Sequence, residues 1–424
     1  MVIRRMLLMA TFALLVTSAG HTFQAGFWGT SAIQAQEDDA AMAFARHLCA
    51  AILGASQICQ DAYPNLWDRR VGLQMMSILR PLSSLISGWN IAFLTERYES
   101  DHARSAGMLI VVPDDYPTIQ EAIDAACPGG TVKVRSGTYR ENVDVHEQLT
   151  LWGVDSGQGM PVIDARAWVS GVTLRRDGII LAGFVITNSS LGAGVDVQSD
   201  CNVIIDNNIT GNTINGVKFR GRREGNIVSQ NRIIENGFSG ISFEAESVDN
   251  TVIGNDIIRN GFGGISFGAE ALRNLVTENN ISQNGFVGVQ FKARSTDNYV
   301  LENLVIENNF GGIDLLGNAS CNLITGNLLV RNNFTGLSLS KNTSCNKVFQ
   351  NYLLQNTKHG ASDEGSGNLW DDGTAGNYHS DFKCEDKDNN GICDSAFGIY
   401  GGMGSDRYPL SSIPEAIART IPAG

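Results

Sequence analysis

Asparagine recurs every 24 residues from Asn188 through Asn212, Asn236, Asn260, Asn284, Asn308 and Asn332 to Asn356 without a miss. Two further asparagine columns keep that period, from Asn202 to Asn346 and from Asn207 to Asn351, and a glycine column runs from Gly216 to Gly360. Apolar columns lie between them: Ile204 to Val348, Ile209 to Leu353, and Phe219, Phe243, Phe267, Phe291, Leu315 and Leu339. A unit this short, made of several brief β runs, cannot bury its own apolar side; stacked copies bury one continuous core. The spacing therefore predicts an all-β fold, a parallel β-helix (a solenoid of 24-residue coils). Each Asn is expected at a corner, tolerating left-handed backbone and bonding the amide one coil away. Each Gly is expected where a positive φ or a close approach is needed. Leucine-rich repeats fit poorly, because the apolar columns are β-branched and lack their leucine spacing.

The repeat occupies only part of the 424 residues. Residues 1–35 read as a signal peptide: Arg4 and Arg5 precede an apolar run, Met6–Val16, too short to span a bilayer, and cleavage is placed after Ala35. Residues 36–105 are read as a helical extension or spacer, with helical spacing over Ala40–Leu53 and Val71–Leu94 and breaks at Pro64 and Pro81. Residues 106–130 are expected to cap the coil at its N-terminal end. There Thr118 and Glu121 form a capping box, and Ile119, Ala122, Ile123 and Ala126 make one apolar helix face. The β-helix is assigned to 131–365, a C-terminal cap to 366–410 and a tail to 411–424.

Net charge is −13, which disfavours a nucleic-acid partner and fits a cation site or a polyhydroxyl ligand. With no second long apolar segment, the processed chain is expected to lack an integral membrane segment, to be a monomer and to be periplasmic or secreted. Eight Cys in an exported chain are compatible with disulfides. Local pairs would be Cys49–Cys59 and Cys384–Cys393, while Cys321 and Cys345, one period apart, fit either a disulfide or stacked thiols.

Three constellations are candidates for chemistry. Asp386, Asp388, Asn390, the Ile392 carbonyl and Asp394 match the first part of an EF-hand-like Ca²⁺ loop with Gly391 at its sixth position, although Phe397 stands where the bidentate acid belongs. His359, His379, Cys384 and Cys393 offer a softer set suited to copper, against which stands a disulfide with solvated His. Finally, Glu244, Glu246, Glu270, Arg273 and Arg294 lie in a charged strip, readable as a salt-bridge ladder or as the catalytic core of an oligosaccharide groove. Phe238, Phe262, Phe286, Phe310 and Phe334, one per coil, are either a packed corner ladder or a sugar platform; Trp152, Trp168 and Trp370 are single candidates for stacking.

The opening VPDDYPTIQEAIDAACPGGTVKVRSGTYRENV, the NxVxxNxIxxN…GI coil and the tail GNYHSDFKCEDKDNNGICDSAFGI…DRYPL resemble the right-handed parallel β-helices of the pectin-lyase-like superfamily, and most closely the NosD-type periplasmic family. The resemblance covers roughly 110–410. It implies an exported NosD-like protein, non-enzymatic, binding carbohydrate or a cell-envelope glycan, or serving as an envelope accessory. Its alternatives are a polysaccharide lyase or epimerase using the charged strip, and a copper-enzyme maturation factor. The Asp-Pro-His-Asp of alginate epimerases is absent, and His379 stands where the family has an aromatic.

Overall fold

The structure, a computed structural model, describes residues 109–166, 169–402 and 404–421. The signal peptide, the 36–105 extension, Cys49, Cys59 and Trp168 lie outside them.

Each coil contributes one short strand to each of three parallel sheets. Sheet A has eleven strands, from Leu109–Val112 to Lys347–Phe349; sheet B has eleven, from Thr138–Tyr139 to Tyr378–His379; sheet C has ten, from Val143–Val145 to His359–Asp363. Register is set by the period, as in Val203↔Ile227↔Thr251 and Val217↔Ile241↔Ile265. A strand's middle residue alternates with its neighbours. In sheets A and B the middle residue points inward (Ile204, Val228, Ile209, Ile233), whereas in sheet C the flanking residues do. Phe219, Phe243, Phe267 and Phe291 stack inside the coil with ring centroids 4.2–4.6 Å apart. A helix, Ile119–Ala125, capped by the Thr118 side chain, adds Ile119, Ala122 and Ile123 to the same core.

The asparagine columns work differently from the expectation. Left-handed backbone belongs to the residue just before the Asn, among them Cys201, Asp206, Gln230, Asp249 and Glu278 (φ 53–56°), while among the column asparagines only Asn188 has a positive φ. The Asn follows the kink and turns its amide inward: Asn255 Nδ2 donates to Val228 O, Ile253 O and Asn279 Oδ1, and its backbone N donates to Asn279 Oδ1 as well. The glycine column serves close approach. A Cβ on Gly240 would stand 2.5 Å from Ile257 Cγ2 and 2.9 Å from Gly264 O.

At the C-terminal end the chain closes around two buried carboxylates. Asp363 accepts from Trp370 Nε1 at 2.9 Å and from Asn368. Asp406 accepts from Asn377 N at 2.6 Å, from Tyr408 N and from His379 Nε2. The tail, including Glu415–Ala418, folds back so that Leu410, Ile413, Ile417 and Ile421 pack on the outer face of sheet B.

Candidate site in the furrow of sheet C

Because sheet C turns its middle residues outward, each coil presents one of them on a common face: Asp196, Lys218, Ser242, Ser266, Gln290, Asp314 and Ser338, in register. Several of these outward-facing side chains are nonetheless buried, Asp314 to 6% and Ser266 to 6% exposure, so the face is the floor of a furrow. One bank is the corner column Phe238, Phe262, Phe286, Phe310 and Phe334, stacked with centroids 4.6–4.8 Å apart. Phe238, Phe310 and Phe334 are exposed at 36–46%, so this column forms a surface shelf and the inner phenylalanines form the core ladder. The other bank carries the charged strip.

The strip's residues are joined from coil to coil. Lys218 Nζ meets Glu244 Oε1 at 2.6 Å, Arg294 meets Glu270 at 2.8 Å through Nε, and Arg273 grips Asp249 at 2.7 and 2.8 Å. Burial opposes the charge on Glu244, but the Lys218 bond and the Gly221 amide outweigh it and hold the carboxyl below the usual glutamate range. Glu246, Glu270, Arg273 and Arg294 all sit at left-handed corners, φ 42–65°, which aims their side chains away from the core. Trp152 lies on the outer side of sheet A under Lys133 Nζ, and Trp370 is buried on Asp363.

Asp314 differs from all of these acids. Among the described residues no hydrogen bond or ion pair reaches its carboxylate, and burial alone pushes its carboxyl up to about 7. Oδ1 lies over Gly311, 3.1 Å from where a Cβ there would stand, so a larger residue would push the carboxylate aside by a few tenths of an ångström. On the neighbouring column Ser239 Oγ and, at the end of the furrow, His359 Nε2 are buried without partners; the His359 ring stacks on Tyr400 at 3.7 Å. Buried polar atoms without partners are uncommon, and these two are sealed from solvent, which leaves Asp314 as the floor's one partnerless acid. Sequence reasoning passed over Asp314 because a lone Asp in an Ile-Asp-Leu triplet resembles any solvated strand residue. The available signal was that, past Asp196 and Lys218, it is the single charge in an otherwise small or neutral column.

Cys384 and Cys393 form a disulfide, which removes both thiolates from the softer set; His379 Nε2 is held 3.1 Å from Asp406 Oδ2 and its ring stacks on Phe397. In the acidic loop Asp386 accepts from Asn390 N, Gly391 N and Ser411 Oγ, Asp388 from the Asn390 amide, and Asp394 from Lys387 N; Ile392 N donates to Asn390 Oδ1. Among the described residues no three His, Cys, Asp or Glu side chains converge on a point a metal ion could occupy. Neither the copper nor the calcium set thus fits an assembled metal centre. With the loop held by its own bonds and the disulfide, exchanging Ca²⁺ for a chelator is expected to move the melting temperature by less than about 2 °C. A differential scanning calorimetry shift of about 5 °C or more would show instead that the loop holds a cation.

The coil sequence matches the family described as "Right handed beta helix region" over residues 164–305 and the family described as "Periplasmic copper-binding protein (NosD)" over residues 258–384. Over these residues the chain is a right-handed β-helix of the NosD type. No curated protein matches the sequence significantly. Among solved structures, the NosD-type chain is similar to ORF18 of Geobacillus virus E2 (TM-score 0.54, 13% identity, 74% of this chain and 71% of that one). It is also similar to the Dettilon tailspike protein gp208 (TM-score 0.48, 16% identity, 62% of each chain) and to the periplasmic alginate epimerase AlgG (TM-score 0.34, 13% identity, 56% of this chain and 71% of that one). At these identities the likeness is one of fold. The chain spans about three fifths of the length of the tailspike it matches. No helix among the described residues is long and apolar enough to cross a membrane.

Proposed function

We propose that this NosD-type β-helix is an exported, periplasmic protein that binds a glycan strand along the furrow of sheet C. The observation that carries the reading is the pairing of a buried, partnerless Asp314 with a shelf of exposed stacked phenylalanines across the same face. Apolar sugar faces stack on aromatic rings, and a sugar hydroxyl supplies the donor that Asp314 lacks. An extended chain suits a site that repeats every ~4.8 Å along the coil axis. The acidic net charge favours a neutral or hydroxyl-rich glycan over a polyanion.

Glycan-array screening followed by calorimetry tests this. Phe310→Ala and Phe334→Ala are each expected to weaken binding by roughly 2- to 12-fold, equivalent to about 0.5–1.5 kcal/mol per ring, without altering the fold. Binding that is indifferent to both substitutions would place the ligand elsewhere.

A second reading, a polysaccharide lyase or epimerase, draws on the same carboxyl: titrating near neutral pH, Asp314 has the proton affinity of a general acid. Glu244, Glu270, Arg273 and Arg294 would then act from the opposite bank, and Glu246 beside them. Release of unsaturated or epimerised uronate products, lost in Asp314→Asn, would establish catalysis; binding without product supports the first reading.

A further inference from the structure

The C-terminal tail shows how this coil manages an apolar outer face. In its middle coils sheet B has one polar outward column, Asn208, Arg232, Asp256 and Asn280, beside a mixed one, Thr210, Ile234, Ile258 and Ser282. It becomes apolar at Leu304, Ile306, Leu328, Val330, Tyr352 and Leu354, and these are the residues that the tail covers. Apolar outward residues and an intramolecular cover thus occur together.

Sheet A has the same apolar exterior over most of its length. Ile205, Ile253, Leu275, Tyr299, Leu323 and Phe349 all point away from the core and stay partly exposed, and none of the described residues packs over them as a cluster. Apolar side chains gathered on one face, here with Ser229, Thr251, Thr277 and Thr325 among them, mark a surface that is covered in the working protein. The chain also enters the coil on this sheet: the first described strand, Leu109–Val112, is its edge. Upstream lies Val71–Leu94, 24 residues with Arg80 as the sole charge.

We propose that sheet A's outer face is the docking surface for the Val71–Leu94 segment of the same chain. The lengths agree. Eleven strands at ~4.8 Å make a face roughly 50 Å long, and 24 residues cover ~36 Å of it even at the 1.5 Å rise of a helix. Residues 95–108 reach up to ~46 Å when extended, enough to return from that face to Leu109. Tethering makes this partner present at high effective concentration, which a second copy or a lipid surface lacks.

The test is limited chymotrypsin digestion of the full processed chain, with fragments identified by mass spectrometry. The segment is rich in cleavable sites, Leu85, Trp89 and Phe93 among them. We expect it to resist cleavage in the wild type and to be cut at least 10-fold faster in the double variant Leu275→Lys, Leu323→Lys. The control Asn208→Lys, on the polar part of sheet B, should leave the rate unchanged. Melting of the coil, followed by circular dichroism, verifies that each variant is folded; if the double variant is not, the single variant Leu275→Gln replaces it. Equal cleavage rates in wild type and folded variant overturn the proposal. So does protection that vanishes on dilution alongside a dimer seen by sedimentation, which assigns the face to a second copy. Protection that appears only with lipid vesicles overturns it likewise.

Discussion

Replacing Asp314 by Asn stabilises the coil at pH 8 and leaves it nearly unchanged at pH 4. The carboxyl is raised by burial from an ordinary 3.8 to about 7 in the folded chain. Between those values the folded state keeps a proton that the unfolded state releases, so stability falls as pH rises through that window and levels off above 7. At 1.36 kcal/mol per pH unit the full cost approaches about 4 kcal/mol, and water penetration reduces it, so about 1–4 kcal/mol is expected. Denaturant unfolding of wild type and variant at both pH values checks this, and the difference between them removes the other titrating groups. A variant no more stable at pH 8, or a difference that is the same at both pH values, contradicts the burial argument. Such a cost is consistent with the proposed role of Asp314 in holding the glycan. The same variant should therefore also lose pH dependence of glycan affinity between pH 6 and 8, read by the calorimetry that tests the furrow.

The largest loss of stability is expected from the middle of an asparagine column. Asn279 is buried; its Nδ2 donates to Val252 O at 2.9 Å, Thr277 O at 2.8 Å and Asn303 Oδ1 at 3.0 Å. Its Oδ1 accepts from the Asn255 backbone N at 3.0 Å and from Asn255 Nδ2 at 2.9 Å. Asn279→Ala removes all five bonds and strands buried partners in two coils, for about 3–5 kcal/mol. Asn280 is its neighbour in sequence but faces outward, with one surface bond to Asp256 Oδ1. Asn280→Ala should cost less than about 0.5 kcal/mol. Urea melts of the two variants decide the matter: similar losses at both positions would mean that the column does not hold the coils together.

That contrast shows where reading the sequence succeeds. A period of 24 is a long-range constraint written locally: any residue's neighbours across the sheet stand 24 positions away, so pairing, register and the inner apolar columns follow from spacing. The charged strip was legible for the same reason, since Asp249 above Arg273 is an i to i+24 relation. The choice of left-handed residue was not. Corners bend before the Asn because its inward amide needs the turn completed, and Asp, Glu, Gln, Arg and Cys take the strained place at outward positions.

The sequence by itself determined the coil, its register, its core and the corner asparagines, because each depends on spacing alone. Only the tertiary structure decided which outward face is a furrow, that Asp314 within it has no partner, and that His379 is buried on Asp406. Those facts depend on which banks rise beside a strand and how the irregular C-terminal segment folds back, and there no period relates one residue to its neighbours.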